Sequence, residues 1–179
     1  MKVEHTPIAD LLVLTPAVFE DDRGYFFESY SATAFAKNGI DIQFIQDNQS
    51  FSKHGVIRGL HLQAAPYAQT KLVRVLQGEI LDVAVDIRKD SPTYGQHYSI
   101  VLSAANKKQL LVPKGFAHGF SVLSETAVVS YKVDEAYHKE SERGIRYDDP
   151  ALGIDWQVQI SDAIVSEKDV ILGTLNDLD

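Results

Sequence analysis

The sequence predicts a mainly β fold, a sandwich or barrel with small peripheral helices. Two observations predict it: turn-forming glycines recur at short intervals, and the segments between them are short and rich in Val, Ile, Tyr and Phe. The 179 residues suit one domain, and the 45% hydrophobic fraction argues against disorder. We expect a single domain over residues 1–179, with an N-terminal arm (about 1–50), a barrel core (about 51–135) and a C-terminal arm (about 136–179).

The clearest predicted hairpin spans residues 71–88 and turns at a Gln-Gly pair. In its second strand, Leu81 and Val83 fall on one face and Asp82 and Asp86 on the other, because side chains alternate along a strand. This strand therefore has an apolar core face and a polar face. Further strands are predicted at residues 25–30, 56–63, 98–102, 109–112, 119–122 and 127–133.

Helices are predicted to be few and short. Residues 31–37 begin with Ser and are followed by Asn-Gly, which are residues that cap helices. Two more short helices are expected in the C-terminal arm, at residues 161–164 and after Ser166. The sequence thus favours a barrel whose interior can carry polar residues.

Charge and composition exclude several classes of protein. The formal net charge of -8 argues against generic binding of DNA or RNA, which usually requires a basic surface. No run approaches 18 apolar residues, and the N-terminus lacks the pattern of a signal peptide, so we expect a cytoplasmic protein that does not span a membrane. The absence of cysteine excludes a disulfide scaffold and a thiol nucleophile.

Two of the six histidines stand in motifs. His118 closes a Pro-x-Gly-x-x-His pattern, and His61 follows Gly55 after five intervening residues. These patterns resemble the two motifs of the cupin family, which implies a double-stranded β-helix, or jelly-roll barrel. Metal-binding cupins continue the first motif as His-x-His and then Glu, whereas here Gln63 replaces the second His and residues 64–70 contain no Glu. Two imidazoles and an amide are a poor ligand set, so no metal is predicted.

The two histidines can still serve chemistry in a concave pocket. An imidazole titrates near pH ~6.5 and can act as a general base close to neutrality. A pair of buried histidines retained for packing is the alternative interpretation. Arg58 and Lys71 lie close to His61 in the sequence, and a basic cluster in an acidic protein favours the functional interpretation.

A wider set of motifs spans nearly the whole chain. They are Phe19-x-Asp21-x-Arg23-Gly24-x-Phe26-x-Glu28, Gln46-Asp47-Asn48-x-Ser50, Arg58-Gly59-Leu60-His61-Leu62-Gln63, Lys71-Leu72-Val73-Arg74-Val75, Gly78-x-x-x-Asp82 to Arg88, Pro113 to Phe120, Tyr131-Lys132, Asp149-Pro150-x-x-Gly153-Ile154-x-Trp156 and Ser166-Glu167-Lys168-Asp169. In content and order, this set of motifs resembles the dTDP-4-dehydrorhamnose 3,5-epimerase family. Two residues depart from the family pattern: Leu62 stands where the family often has an aromatic residue, and Tyr147 stands where Trp is common. These changes could alter the shape of the pocket.

The resemblance implies a reaction without a cofactor on a nucleotide sugar that carries a ketone at carbon 4. A base removes the acidic proton beside the ketone, an enolate forms, and an acid returns a proton on the opposite face. The resemblance assigns the base to His61, with Asp169 orienting it, and the acid to Tyr131. Lys71 is the group expected to stabilise the enolate oxygen.

The resemblance also implies contacts with the substrate. Arg58 can bind a diphosphate, and His118 is expected to line the site. The family forms homodimers in which the N-terminal segment reaches the partner's pocket, so nucleotide contacts from that segment are expected. These expected nucleotide contacts are Phe19, Arg23, Phe26 and Glu28. Further candidates for contact with the substrate, with no part of it specified, are Gln46, Asn48 and Tyr137.

Three alternatives remain open at this stage. A relative that inverts one carbon, or acts on another nucleotide ketosugar, would carry the same base, acid and lysine. A metal-dependent cupin enzyme is disfavoured by the missing His and Glu. A non-enzymatic binding module for nucleotide sugars would not need an opposed acid and base.

Overall fold

The mainly β prediction is confirmed by a computed structural model, which describes residues 1–178. The strands of the described chain are β1 (Lys2–His5), β2 (Leu12–Thr15), β3 (Val18–Asp21), β4 (Gly24–Phe27), β5 (Gln46–Lys53), β6 (Ile57–Gln63), β7 (Lys71–Gln77), β8 (Glu79–Asp86), β9 (His97–Ser103), β10 (Gln109–Val112), β11 (Phe116–Val122), β12 (Thr126–Val133) and β13 (Glu142–Gly144). The α-helices are α1 (Ala32–Lys37) and α2 (Glu167–Val170), and single 3-10 turns lie at Lys139–Ser141, Ile160–Asp162 and Leu175–Asp177.

Two antiparallel sheets form the body of the fold. The six-stranded sheet has the order β1-β2-β10-β7-β12-β5, and the five-stranded sheet has the order β13-β6-β11-β8-β9. The main core contains buried residues from both sheets, including Val73 of β7 and Ile80 of β8. Apolar side chains from the two inner faces therefore hold the sheets together, as in a jelly roll.

Strand β8 is buried on both faces, and this refines the predicted division into an apolar core face and a polar face. Ile80 and Ala84 belong to the main core between the sheets. Leu81 and Val83 belong to a second core, which contains Trp156 of the C-terminal arm. The apolar face of β8 is thus covered by that arm, while its acidic side chains are buried on the inner side.

The N-terminal arm contributes more sheet than the sequence predicted. Strands β1, β2, β3 and β5 were not predicted, and the expected boundary near residue 50 falls inside β5. Strand β5 pairs with β12 along its whole length. Its sequence, QDNQSFSK, lacks the apolar alternation of a half-buried strand, because one of its faces lines a polar cleft.

The short helices lie close to their predicted positions. Helix α1 begins after Ser31, whose hydroxyl accepts from the backbone N–H of Ala34, and it packs on the outer face of the six-stranded sheet through Phe35. Helix α2 begins after Ser166, and the 3-10 turn Ile160–Asp162 replaces the predicted helix at 161–164. Within residues 1–178, none of the helices has the length and apolar character needed to cross a membrane.

Candidate active site

A polar cleft opens between the two sheets. Its outer part has a volume of about 340 Å³ and its inner part about 150 Å³, and His61, Lys71 and Tyr131 line both. His61 stands on the five-stranded sheet, whereas Lys71 and Tyr131 stand on the six-stranded sheet. The remaining lining residues are Gln46, Asn48, Leu62, Gln63, Gln69, Tyr137 and Glu142 in the outer part, and Ser50, Arg58, His118, Gly119, Phe120 and Val129 in the inner part.

His61 forms a close pair with a buried carboxylate. Its Nε2 lies 2.6 Å from Oδ1 of Asp169, which is only 3% exposed. The other oxygen of Asp169 accepts from the backbone N–H of Gly59 at 3.3 Å, and the hydroxyl of Ser166 accepts from the backbone N–H of Asp169. Burial raises the pKa of Asp169, but the hydrogen bond and charge of His61 outweigh burial and leave this pKa below its usual value. The carboxylate can therefore fix the His61 tautomer and stabilise its protonated form.

Two glycines let the strands that carry the histidines approach closely. A Cβ on Gly119 would lie 2.6 Å from the carbonyl oxygen of Arg58, and one on Gly59 would lie 2.6 Å from Cα of Gly119. Gly59 also has a φ of +126°, which only glycine adopts readily. This contact coincides with a register irregularity beside the pair formed by His61 and His118. Both imidazoles are thereby brought to the same part of the cleft.

A second buried carboxylate, that of Asp82, pairs with His118. The sequence pattern placed Asp82 on a polar face but assigned it no role. The Nε2 of His118 lies 2.9 Å from Oδ1 of Asp82, and the side chain of Asp82 is fully buried. Oδ2 of Asp82 has no hydrogen-bond partner among the described residues. The period-two pattern of β8 put Asp82 on a polar face, but it could not show that this face meets His118 across the sheet.

Lys71 and Tyr131 are both affected by burial. Burial lowers the pKa of Lys71 to about 8, although the negative charges of Asp82 and Glu142 oppose this change. The Lys71 ammonium donates to the carbonyl oxygen of His61 at 3.3 Å. Burial raises the pKa of the Tyr131 phenol, and the nearby charge of Arg58 only partly opposes the increase. Tyr131 therefore stays protonated at neutral pH and can donate a proton.

The outer part of the cleft contains a charged group that the sequence analysis missed. Glu142 on β13 accepts a hydrogen bond from the hydroxyl of Tyr137 at 2.8 Å and pairs with Lys168 of α2. The Lys168 and Tyr137 hydrogen bonds outweigh the effect of burial and lower the pKa of Glu142. Lys168 stands beside Asp169 in the Ser-Glu-Lys-Asp motif, so the sequence contained a signal that could have placed Lys168 near the site. Glu142 lies outside all the motifs, so the sequence contained no such signal for it.

The predicted contacts Gln46, Asn48, Arg58, His118 and Tyr137 all line the cleft. The amide of Gln46 donates to the side-chain oxygen of Asn48, and the guanidinium of Arg58 donates to the hydroxyl of Ser52. Alternate side chains of β5 thus supply polar groups to one wall.

The four N-terminal candidates are not in the cleft of their own chain. Phe19 and Phe26 lie on the β3–β4 hairpin and are 65% and 67% exposed. The guanidinium of Arg23 pairs with Asp21 at the tip of this hairpin, and Glu28 follows it as an exposed residue. Within the described chain, these side chains line surface depressions and not the pocket of His61.

The fold and the site together define a class of protein. A jelly-roll barrel carries a His–Asp pair on one wall of a polar cleft, and a neutral phenol and a lysine stand on the other wall. This arrangement is suited to acid–base chemistry. The family model described as dTDP-4-dehydrorhamnose 3,5-epimerase matches residues 5–177, and the chain belongs to this family of isomerases. The predicted family, enzyme class and cupin-like fold are confirmed.

Relatives from several organisms support the assignment over nearly the whole chain. The dTDP-4-dehydrorhamnose 3,5-epimerase of Escherichia coli K12 is 50% identical, and the alignment covers 99% of this chain and 96% of that protein. A crystal structure of the enzyme from Elizabethkingia anophelis is 51% identical with a TM-score of 0.95, covering 99% of this chain and 97% of that chain. The Legionella pneumophila enzyme, solved in complex with dTDP-4-keto-L-rhamnose, is 47% identical with a TM-score of 0.95, covering 99% of this chain and 94% of that one.

Proposed function

We propose that this protein epimerises dTDP-4-dehydro-6-deoxy-D-glucose at carbons 3 and 5 to give dTDP-4-dehydro-L-rhamnose. The observation that carries the proposal is the pair of His61 and Asp169 facing Tyr131 across a cleft that Lys71 also lines. The substrate ketone at carbon 4 acidifies the protons on carbons 3 and 5. Two inversions therefore need the same groups: a base, an opposed acid and a partner for the enolate oxygen.

His61 is the proposed base. Its imidazole takes a proton from carbon 3 or carbon 5, and Asp169 stabilises the imidazolium that results. The electron pair of the broken C–H bond moves into the enolate, whose oxygen accepts a hydrogen bond from the Lys71 ammonium. In a cleft shielded from water, such a charge contact contributes roughly 3 kcal/mol to the transition state.

Tyr131 is the proposed acid. Its phenol gives a proton to the enolate carbon on the face opposite to His61 and is then reprotonated from solvent. The His61 imidazolium releases its proton to solvent, which restores the base for the second inversion. The raised pKa of Tyr131 supports this role, because the phenol is in its protonated form when the enolate appears. The transfer leaves the substrate with inverted configuration and no change in oxidation state.

The rest of the substrate is proposed to bind through the other cleft residues and a second subunit. Arg58 and His118 contact the portion of the substrate that lies in the inner part of the cleft. Gln46, Asn48 and Tyr137, in the outer part, contact the nucleotide. The exposed hairpin of one protomer, with Phe19, Arg23, Phe26 and Glu28, reaches the partner's cleft in a homodimer. The exposure of Phe19 (65%) and Phe26 (67%) supports this proposal, because neighbouring aromatic side chains are costly to leave in water. A cytoplasmic location remains a prediction, to be tested by cell fractionation.

The first experiment follows the sugar protons by NMR in deuterated water. We expect deuterium at both carbon 3 and carbon 5, and no exchange at either carbon with His61→Ala, which should still bind dTDP. Deuterium at one carbon would instead indicate a single-centre epimerase on the same chemistry. Exchange by His61→Ala at the wild-type rate would show that His61 is not the base.

Subunit complementation tests the contribution of the hairpin. Arg23→Glu and His61→Ala each damage one part of the proposed shared site, so either homodimer should be inactive. Mixed dimers contain one site with both parts intact, and we expect activity to return on mixing. An active Arg23→Glu homodimer, or mixed dimers without activity, would contradict the proposed contribution from the partner subunit.

A further inference from the structure

Gln63 occupies the position at which metal-binding cupins carry a second histidine. Here both N–H groups and the oxygen of its side-chain amide form hydrogen bonds to two loops. The Nε2 group donates to the carbonyl oxygens of Tyr67, at 2.7 Å, and Ala136, at 3.0 Å. The Oε1 atom accepts from the backbone N–H of His138 at 2.5 Å. Gln63 is only 7% exposed, so these three bonds form largely away from water.

Two of these three bonds hold the backbone on both sides of Tyr137. Ala136 and His138 are its chain neighbours, and both are fastened to the Gln63 amide. Tyr137 itself is 57% exposed, and its only side-chain hydrogen bond in the described chain goes to Glu142. The position of its ring over the cleft therefore depends on the backbone that Gln63 holds.

Other contacts join the same two loops, which are residues 64–70 and 134–138. The ring of Tyr67 stacks on the imidazole of His138, with centroids 3.9 Å apart and an interplanar angle of 3°. The side chain of Gln69 donates to the carbonyl oxygen of Glu135 at 2.7 Å. The loops thus form one unit at the cleft mouth, and Gln63 is the buried group that ties this unit to β6.

We propose that Gln63 is a positioning residue that fixes Tyr137 for binding the nucleotide part of the substrate. The inference rests on the proposed function, because it takes Tyr137 as a nucleotide contact. Gln63 does not hydrogen-bond to His61, Tyr131 or Lys71, so its action is on binding and not on proton transfer. An amide is required because it offers two N–H donors and an acceptor in one plane, which neither Glu nor Met provides.

The test compares Gln63→Met with the wild type, measuring KM and kcat for the nucleotide ketosugar and Kd for dTDP. The variant leaves two carbonyls and one N–H unpartnered, so the loop loses its fixed position. We expect KM and the Kd for dTDP to rise about tenfold, with kcat changed by less than about twofold. The matched control is Gln109→Met, since Gln109 is also buried and bonded to a backbone carbonyl, but outside the cleft.

A double-mutant cycle separates positioning from a general structural role. In a Tyr137→Ala background, Gln63→Met should raise KM by less than about twofold, because the contact it positions is already absent. An equal rise in both backgrounds, or an unchanged KM and Kd in the single variant, would overturn the proposal. If Gln63→Met does not fold, Tyr67→Ala decides: it should raise the Kd for dTDP only when Tyr137 is present, and an unchanged Kd would count against the inference.

The two proposals fail in different ways. If the wild type does not turn over the nucleotide ketosugar, the proposed function is wrong. The Kd for dTDP still reports on Gln63 in that case. If the wild type is active and the Gln63 variants keep its KM and Kd, only the positioning role is wrong.

Discussion

His61 and His118 face each other as a cross-strand pair on β6 and β11, and each imidazole lies beside a different buried carboxylate. The carboxylate of His61 comes from the C-terminal helix α2, whereas that of His118 comes from the neighbouring strand β8. The two histidines therefore have separate partners despite their proximity. This separation makes the role of each carboxylate testable alone.

Replacement of Asp169 by Asn should reduce catalysis while leaving the cleft in place. The amide keeps the size of the carboxylate but removes the charge that stabilises a protonated His61. By analogy with triads in which the orienting carboxylate is changed, we expect kcat to fall roughly 10⁴-fold. Deuterium incorporation into the sugar measures the effect, and Asp148→Asn, at an exposed ion pair, is the control. Near wild-type exchange by Asp169→Asn would contradict the role of Asp169.

Asp169 also predicts a dependence of stability on acid. Its pKa is lowered in the folded protein, so the contribution of the ionised group is present above the unfolded value of 3.8 and is lost as the pH falls through the folded value. We expect the wild type to lose more stability than Asp169→Asn on acidification below pH 3.8. Denaturant unfolding at a series of pH values measures the difference, and parallel curves would contradict the prediction.

Tyr131→Phe should separate the two proton transfers. The variant keeps the ring but lacks the phenolic proton that we assign to the second step. We expect proton abstraction by His61 to continue. The His61 imidazolium exchanges with deuterated solvent and returns a deuteron to the same face, so net epimerisation falls more than exchange does. NMR in deuterated water reports both quantities in one sample. Equal losses of exchange and epimerisation would argue against a separate acid at Tyr131.

The pKa of Lys71 predicts the alkaline limit of activity. Burial lowers it to about 8, so the ammonium loses its proton as the pH rises through this value. We expect kcat/KM to fall about tenfold per pH unit well above that point, since only the charged form stabilises the enolate. In the Lys71→Arg variant, the guanidinium stays charged to far higher pH than an ammonium does. The residual kcat/KM of this variant should therefore not fall as the pH rises above about 8. An unchanged alkaline limit in Lys71→Arg would assign the titration to another group.

The sequence predicted the barrel better than it predicted the polar parts of the cleft. The glycines and apolar alternation located β6, β7, β8 and β12 because these signals are local. Strand β5 was missed because it is polar on the face that lines the cleft. Glu142 and Asp82 reach the cleft through pairing between strands that are distant in sequence. Asp82 meets His118 because β8 pairs with β11, and Glu142 lies at the cleft because β13 pairs with β6. Such contacts depend on the register between strands, which a single sequence does not specify.

Gly119→Ala should show how strongly the site depends on close packing of β6 and β11. A Cβ at this position would lie 2.6 Å from the Arg58 carbonyl oxygen, so the strands would have to separate. We expect a loss of about 1–3 kcal/mol in unfolding free energy, as for other overpacked sites, measured by denaturant unfolding. Activity should fall by more than the folded fraction does, because separating the strands moves His61 relative to Tyr131.

Gly39→Ala is the control for the glycine prediction. Gly39 has a φ of +76°, and a Cβ there would meet no atom of residues 1–178 within 4 Å. This variant carries the backbone cost of a left-handed residue, about 1–2 kcal/mol, without a clash near the cleft. Its folded fraction should therefore retain wild-type kcat. If Gly119→Ala also keeps full kcat in its folded fraction, the alignment of His61 does not depend on the close approach of these strands.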